Sequence, residues 1–186
     1  NTAKVAKGDT VAVVGCGGVG LSALQGARIN GAARIIAVDT TPSKLALAKE
    51  LGATDLVNAS EVDPVEAVLA LTGGVDHAFE ALGYLPTIDQ AIKMTGRGGQ
   101  TTLIGMVEPH ELTEIATVNM ITDERTIAGS WYGTFLPSRD WPLIVGWLES
   151  GDLLLDQMIE RITLDDINVA FDRIRSNEAA RQVIVF

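Results

Sequence analysis

The sequence has 186 residues, with 14 Lys and Arg against 24 Asp and Glu, a formal charge of −10 at pH 7. At 47% hydrophobic it can bury a real core, which rules out a disordered chain. The acidic balance argues against a nucleic-acid or anionic-membrane partner, since both select a basic face, and no apolar run reaches transmembrane length.

The first element is a strand over 10–14, where Val11, Ala12, Val13 and Val14 are apolar on both faces, as in a parallel sheet. Helical spacing follows, with Gly20, Ala23, Leu24 and Ala27 on one side and Gly31 as the stop. The cycle repeats. A second buried strand over 34–39 leads to a helix opened by Pro42 and closed by Gly52. A short strand over 55–58 leads to a helix beginning at Asp63 and Pro64. A fourth strand is read over 75–81, then a helix with Ile88, Ala91, Ile92 and Thr95 on one face, then a fifth strand over 100–105 and a sixth over 126–132. Residues 111–120 give no clear pattern. Strands alternating with helices of this length predict right-handed crossovers and an α/β fold with a doubly wound, parallel, six-stranded sheet.

After Gly133 the rhythm changes. Leu136, Pro137 and Ser138 read as a linker, 141–148 as a helix, Ile167, Ala170, Phe171 and Ile174 as another, and 182–186 as a terminal strand. The expected organisation is a doubly wound domain over 1–133 and a C-terminal helical and strand extension over 134–186, which does not continue the βα pattern. The first residue is Asn rather than Met, so the chain is expected to be a processed form or a piece of something longer.

The chemistry lies in a glycine loop. Gly15-Cys16-Gly17-Gly18-Val19-Gly20 fits G-x-G-x-x-G between a strand and a helix. Gly15 permits the tight turn, Gly17 the approach of a pyrophosphate, and Gly20 close packing of helix on sheet. The N–H groups and dipole of the helix start then face the phosphates. An isolated match is often only a tight turn, but here strand, helix and a later acidic residue coincide. That residue is Asp39, 19 positions after Gly20, at the end of the second strand. Its carboxylate can accept both adenosine ribose hydroxyls and would repel a 2′-phosphate, so NAD is favoured over NADP. The alternative is a turn or N-cap aspartate. Cys16 reads as a small packing residue.

Reaction chemistry is sparse. The chain has two histidines and one cysteine, with no C-x-x-C or H-E-x-x-H pattern, so neither catalytic nor metal-ligating residues are assigned. His77 reads as a strand-surface residue and His110 as part of an exposed loop. Asp76 and Glu80 read as solvated or capping carboxylates. A lone cysteine and the lack of a leader pattern argue against a secreted disulfide fold and make a cytoplasmic location the expectation.

These motifs, in this order, resemble the coenzyme domain and C-terminal segment of zinc-dependent, medium-chain alcohol dehydrogenases, over essentially all 186 residues. The glycine loop through Leu21 is similar to that family's pyrophosphate loop. Ile35 to Asp39 with Lys44 is similar to its ribose site. Glu50-Leu51-Gly52-Ala53-Thr54, Gly74-Val75-Asp76 through Phe79, Glu80 and Gly83, and Gly98-Gly99 through Gly105 are similar to its third, fourth and fifth strand regions. Ser130-Trp131-Tyr132-Gly133 is similar to its segment beside the nicotinamide. With Leu136-Pro137-Ser138 that segment also resembles, more faintly, the branch acting on thiol adducts of formaldehyde.

The resemblance implies a coenzyme site made of Gly15, Cys16, Gly17, Gly18, Val19 and Gly20; Asp39, Thr40 and Lys44; Ala81, Leu82 and Gly83; Gly105, Met106 and Val107; Ser130, Trp131 and Tyr132; and Arg181, which matches an arginine reaching the pyrophosphate. Tyr84 departs from the family, standing where many members have an arginine. The resemblance places the zinc ligands in an N-terminal domain ahead of Asn1. It also implies that the segment after about Tyr132 folds onto that domain, leaving apolar surface such as Trp141 and Trp147. An alcohol or aldehyde substrate and a homodimer paired through the sixth strand are implied as well. The expected function is the NAD-binding part of an alcohol dehydrogenase, inactive alone and needing zinc only in the intact enzyme. A non-catalytic NAD-sensing module and an S-adenosylmethionine-dependent methyltransferase are the alternatives, since both use a glycine loop on a doubly wound sheet.

Overall fold

The computed structural model describes residues 1–176 and 181–186. Strands that are apolar on both faces need cover on both sides, and β1 (Thr10–Val14) and β2 (Arg34–Asp39) find it within a six-stranded sheet. With β3 (Asp55–Asn58), β4 (Val75–Glu80), β5 (Thr95–Leu103) and β6 (Thr126–Gly129), the order is β3-β2-β1-β4-β5-β6. Every pairing in it is parallel. The chain winds outward from β1 twice, in opposite directions, so its helices fall on opposite faces. α1 (Gly18–Ile29) and α2 (Pro42–Glu50) pack Leu21, Leu24, Leu45 and Ala48 against Val11, Val13, Ile35 and Ala37. α3 (Pro64–Thr72) and α4 (Leu85–Met94) pack Val68, Ala91 and Met94 against Ala12, Val14, Ile36 and Val38. The expected fold class is therefore found.

Element ends differ from the expectations for local reasons. Thr95 opens β5 instead of extending the apolar face of α4, which buries Ile88, Ala91 and Met94. β5 starts five residues early because Val75 pairs with Thr95 but His77 pairs with Gln100, the intervening glycines looping out. At its other end Ile104 and Gly105 leave the ladder, both donating to the Glu80 carbonyl. β6 stops at Gly129, and Tyr132, Gly133 and Thr134 then adopt left-handed φ values of 50°, 63° and 55° that turn the chain away from the sheet. In the unassigned stretch, α5 (Thr117–Thr122) is a short exposed helix.

The C-terminal extension is where sequence reasoning erred most. The expected linker at Leu136-Pro137-Ser138 is the start of α6 (Pro137–Glu149): Pro137 sits in the first turn, where it costs no hydrogen bond, and the buried Asp140 carboxylate accepts from Leu136 N at 2.8 Å. The tail also keeps a βα rhythm of its own. β7 (Glu160–Ile162), α7 (Ile167–Arg175) and β8 (Gln182–Ile184) form a small parallel unit outside the main sheet. β7 escaped notice because three residues carry no alternation to read. The tail is fastened to α1 through Gln25, which is fully buried: its Oε1 accepts from Leu154 N at 2.7 Å and its Nε2 donates to Met158 Sδ at 3.0 Å. Among the described residues no helix is long and apolar enough to cross a membrane.

The sheet edge carries a testable ion pair. Arg34 donates from Nε and Nη2 to the two carboxylate oxygens of Asp55 at 2.8 and 2.7 Å, which draws the Asp55 pKa from 3.8 down to about 2. Because the folded-state value is the lower one, the pair stabilises the fold above about pH 4, and that contribution disappears as pH falls through about 2. Asp55→Asn should lower stability at neutral pH, with its difference from the parent chain shrinking between about pH 4 and pH 2 in denaturant titrations. A difference constant across that range would show that the carboxylate charge is not what the pair contributes.

Candidate functional site

Parallel register builds the site. Val57, Val38, Val14, Glu80, Leu103 and Gly129 align across the six strands. The residues just beyond this row emerge together at the carboxyl edge. Gly15 N donates to Val38 O at 2.9 Å, Ala81 N to Val14 O at 2.9 Å, Ile104 N to Glu80 O at 2.8 Å and Ser130 N to Leu103 O at 2.9 Å. Asp39 ends β2 one residue beyond this row, opposite Asn58. The strand order reverses between β1 and β4, and a crevice at that switch point is where open α/β sheets bind ligands.

The glycine loop has the expected geometry. Gly15 has φ +95°, open to glycine and strained for other residues. A Cβ on Gly20 would lie 1.8 Å from the Gly15 carbonyl oxygen, so only glycine lets α1 sit this close to the loop. A Cβ on Gly17 would meet nothing within 4 Å, which leaves open space where an incoming group needs it. Gly17 caps α1 without a side-chain bond and the first turn holds no acidic residue, so the helix N-terminus is free to face an anion. Val19 is exposed beside it.

Two further turns interlock over this loop. Leu82 lies against Gly15, where a Cβ would come 2.6 Å from Leu82 Cγ. Gly83 has φ +76° and packs on Met106, and a Cβ on Gly105 would fall 1.9 Å from Gly83 N. Met106 is 70% exposed, Trp131 70% and Tyr132 81%, so the edge beyond β5 and β6 is an open aromatic and apolar rim. Trp131 and Tyr132 meet edge to face, centroids 5.3 Å apart. Val107 is half-buried.

Asp39 does more than the sequence suggested. It is 8% exposed, and both carboxylate oxygens are engaged: Oδ2 accepts from Cys16 N at 2.8 Å and Oδ1 from Thr41 N at 2.9 Å. It thus clamps the glycine loop to the start of α2, which includes the turn role held open above. Each oxygen keeps a second acceptor site for a hydroxyl. Thr40 is exposed beside it, and Lys44 is buried. Burial, and next the Asp39 charge, push the Cys16 thiol up to about 12, while Lys44 and a bond to the Val38 carbonyl pull the other way. Cys16 is a packing residue.

The remaining assignments divide. Arg181 is exposed just before β8, and its side chain makes no hydrogen bond or ion pair with a described residue, so the structure does not join it to the loop. His77 Nε2 lies 3.1 Å from Asp9 Oδ2, and His110 is exposed. Asp76 accepts from Thr10 N and Oγ1, both at 2.7 Å. Glu80 takes the capping one of the two roles read for it: it is fully buried, not solvated, and it accepts from Leu82 N, Gly83 N and Thr87 Oγ1. The signal was present, a glutamate ending an apolar strand just before Ala81-Leu82-Gly83. No group of three or more His, Cys, Asp or Glu among the described residues could hold a metal ion, so the residues present do not fit a zinc site.

The sequence of residues 18–150 matches the profile of the zinc-binding dehydrogenases. The chain belongs to this family. It is 38% identical to an S-(hydroxymethyl)glutathione dehydrogenase of Synechocystis, over 99% of this chain and 51% of that protein. Benzyl alcohol dehydrogenase of Acinetobacter calcoaceticus superposes with a TM-score of 0.93 at 31% identity, over 98% of this chain and 51% of that one. A zinc-binding dehydrogenase of Sinorhizobium meliloti, whose structure is bound to NADP, superposes at 0.82 with 34% identity, over 96% and 51%. This zinc-binding dehydrogenase chain spans about half the length of the relatives it matches.

Two outcomes follow from the loop geometry. Gly20→Ala should destabilise the fold by roughly 1–3 kcal/mol, the usual cost of overpacking. Gly17→Ala should cost about 1 kcal/mol or less, since it meets nothing and loses only capping preference. Equal unfolding midpoints for the two variants would contradict the packing difference. The Cys16 thiol should resist a colorimetric disulfide reagent at pH 8 in the native chain and react fully in denaturant.

Proposed function

We propose that this chain is the coenzyme-binding half of a zinc-dependent, NAD-linked alcohol dehydrogenase. The observation that carries the reading is the single registered row at the carboxyl edge, which brings the glycine loop, Asp39 and the turns after β4, β5 and β6 to one crevice. Gly17, Gly18 and Val19 at the helix start receive the pyrophosphate. Asp39, with Thr40 and Lys44 nearby, holds the adenosine ribose. By the two-fold logic of doubly wound sheets, residues 81–83, 105–107 and 130–132 receive the nicotinamide half. NAD supplies the hydride acceptor, and this chain's residues bind it, orient it and screen one side of it from water. Arg181 belongs to the pyrophosphate contacts in this reading, reached on binding.

The substrate is an alcohol or aldehyde, and the zinc donors lie in the other half of the protein. That half covers the apolar surface of the tail, where Trp141 is 56% exposed, Phe171 50% and Ile174 57%. A homodimer joined along the free edge of β6 completes the proposal.

Calorimetric titration with NADH and NADPH tests it. NADH should bind at least about tenfold more tightly, because the Asp39 carboxylate repels a 2′-phosphate. Asp39→Asn should narrow that gap while keeping a side-chain oxygen for one of the two clamping bonds. Equal affinity for both coenzymes in the parent chain would refute the role given to Asp39. Binding of S-adenosylmethionine in preference to either would replace the dehydrogenase reading. The chain alone should not oxidise simple alcohols, with or without added zinc, and turnover above background would show that it holds catalytic residues.

A further inference from the structure

Glu80 is 0% exposed at the end of a strand in the middle of the sheet. One oxygen, Oε1, accepts from Leu82 N at 3.0 Å, Gly83 N at 2.9 Å and Thr87 Oγ1 at 2.8 Å. The Glu80 carbonyl accepts from Ile104 N at 2.8 Å and Gly105 N at 3.1 Å. One residue therefore holds the turn after β4, the first turn of α4 and the turn after β5. Oε2 is buried and has no hydrogen-bond partner among the described residues. A carboxylate is a costly choice for filling an apolar position, and three donors converging on one oxygen fix a geometry that no apolar side chain reproduces. What that geometry controls is visible in the turn: Leu82 rests on Gly15 of the glycine loop and Gly83 rests on Met106.

We propose that Glu80 is a positioning residue for the nicotinamide half of the site. It sets the height of the Ala81–Gly83 turn between the pyrophosphate loop and the turn after β5, and touches no coenzyme itself. The inference rests on the dinucleotide reading above.

The test compares NADH with ADP-ribose, which lacks only the nicotinamide, on the full chain. Glu80→Ala should weaken NADH by about tenfold or more, as expected for losing hydrogen bonds to a charged group, and leave ADP-ribose within about twofold. Glu80→Gln keeps an oxygen for all three donors and should restore most of the NADH affinity. A Glu80→Ala chain that binds NADH normally, or loses both ligands equally, overturns the proposal, as does a Glu80→Gln chain no better than Glu80→Ala. If Glu80→Ala does not fold, Thr87→Val decides, because it removes one donor and leaves the carboxylate. A selective loss of NADH affinity there supports the positioning role, and an equal loss or none overturns it. A parent chain that binds neither ligand overturns the dinucleotide reading itself, whereas binding of both by the parent with an unselective Glu80→Ala removes only this inference.

Discussion

Parallel register is the constraint on which the rest of this structure depends. In a parallel sheet every strand points the same way, so every strand ends at the same edge. Here one aligned row, from Val57 to Gly129, fixes where six separate chain segments leave the sheet. Val14 and Glu80, far apart in sequence, become direct neighbours. The crevice at the switch point between β1 and β4 follows from winding direction alone, because the connections on either side of it leave in opposite directions.

Close backbone approach is the second layer of that constraint. The chain at the carboxyl edge is held close by glycines, with main chain against main chain at Gly20 and Gly15 and at Gly83 with Gly105 and Met106, and the Leu82 side chain resting on Gly15. Three buried or nearly buried acidic side chains then fasten the surroundings. Asp39 ties the glycine loop to α2, Glu80 ties the turns after β4 and β5, and Asp140 ties the start of α6. Burying such a carboxylate costs several kcal/mol when it is isolated, and each hydrogen bond it accepts returns about 1.5–3 kcal/mol. With two or more donors per side chain the balance is close to even. Their contribution is placement of main chain more than net stability.

The two halves of the molecule meet solvent differently. The sheet and its four covering helices bury an apolar core on both faces. The tail, by contrast, anchors itself to α1 through Gln25 and Met158 and turns much of its own apolar surface outward. The chain, a zinc-binding dehydrogenase spanning about half the length of its relatives, thus combines a well-covered core with an appendage whose apolar side chains are largely exposed.

The sequence by itself determined the sheet and the loop. Runs such as Val11 to Val14 and Ile35 to Val38 admit little besides a strand covered on both faces, and Gly15, Gly17 and Gly20 between strand and helix leave few conformations for the turn. Those are local properties, set by side-chain period and backbone freedom. Tertiary structure decided what depends on distant partners. Asp39 is legible in the sequence as a candidate ribose ligand but not as the clamp on Cys16, because that bond spans 23 residues. Whether Glu80 is a solvated or a capping carboxylate is decided only by β1, β5 and α4 closing around it. β7 has three residues and no alternation to read, so it became visible only through its pairing with β8, the terminal strand that the sequence does signal within 182–186. Chain-wide register, set by the whole sheet, turned these separate readings into one site.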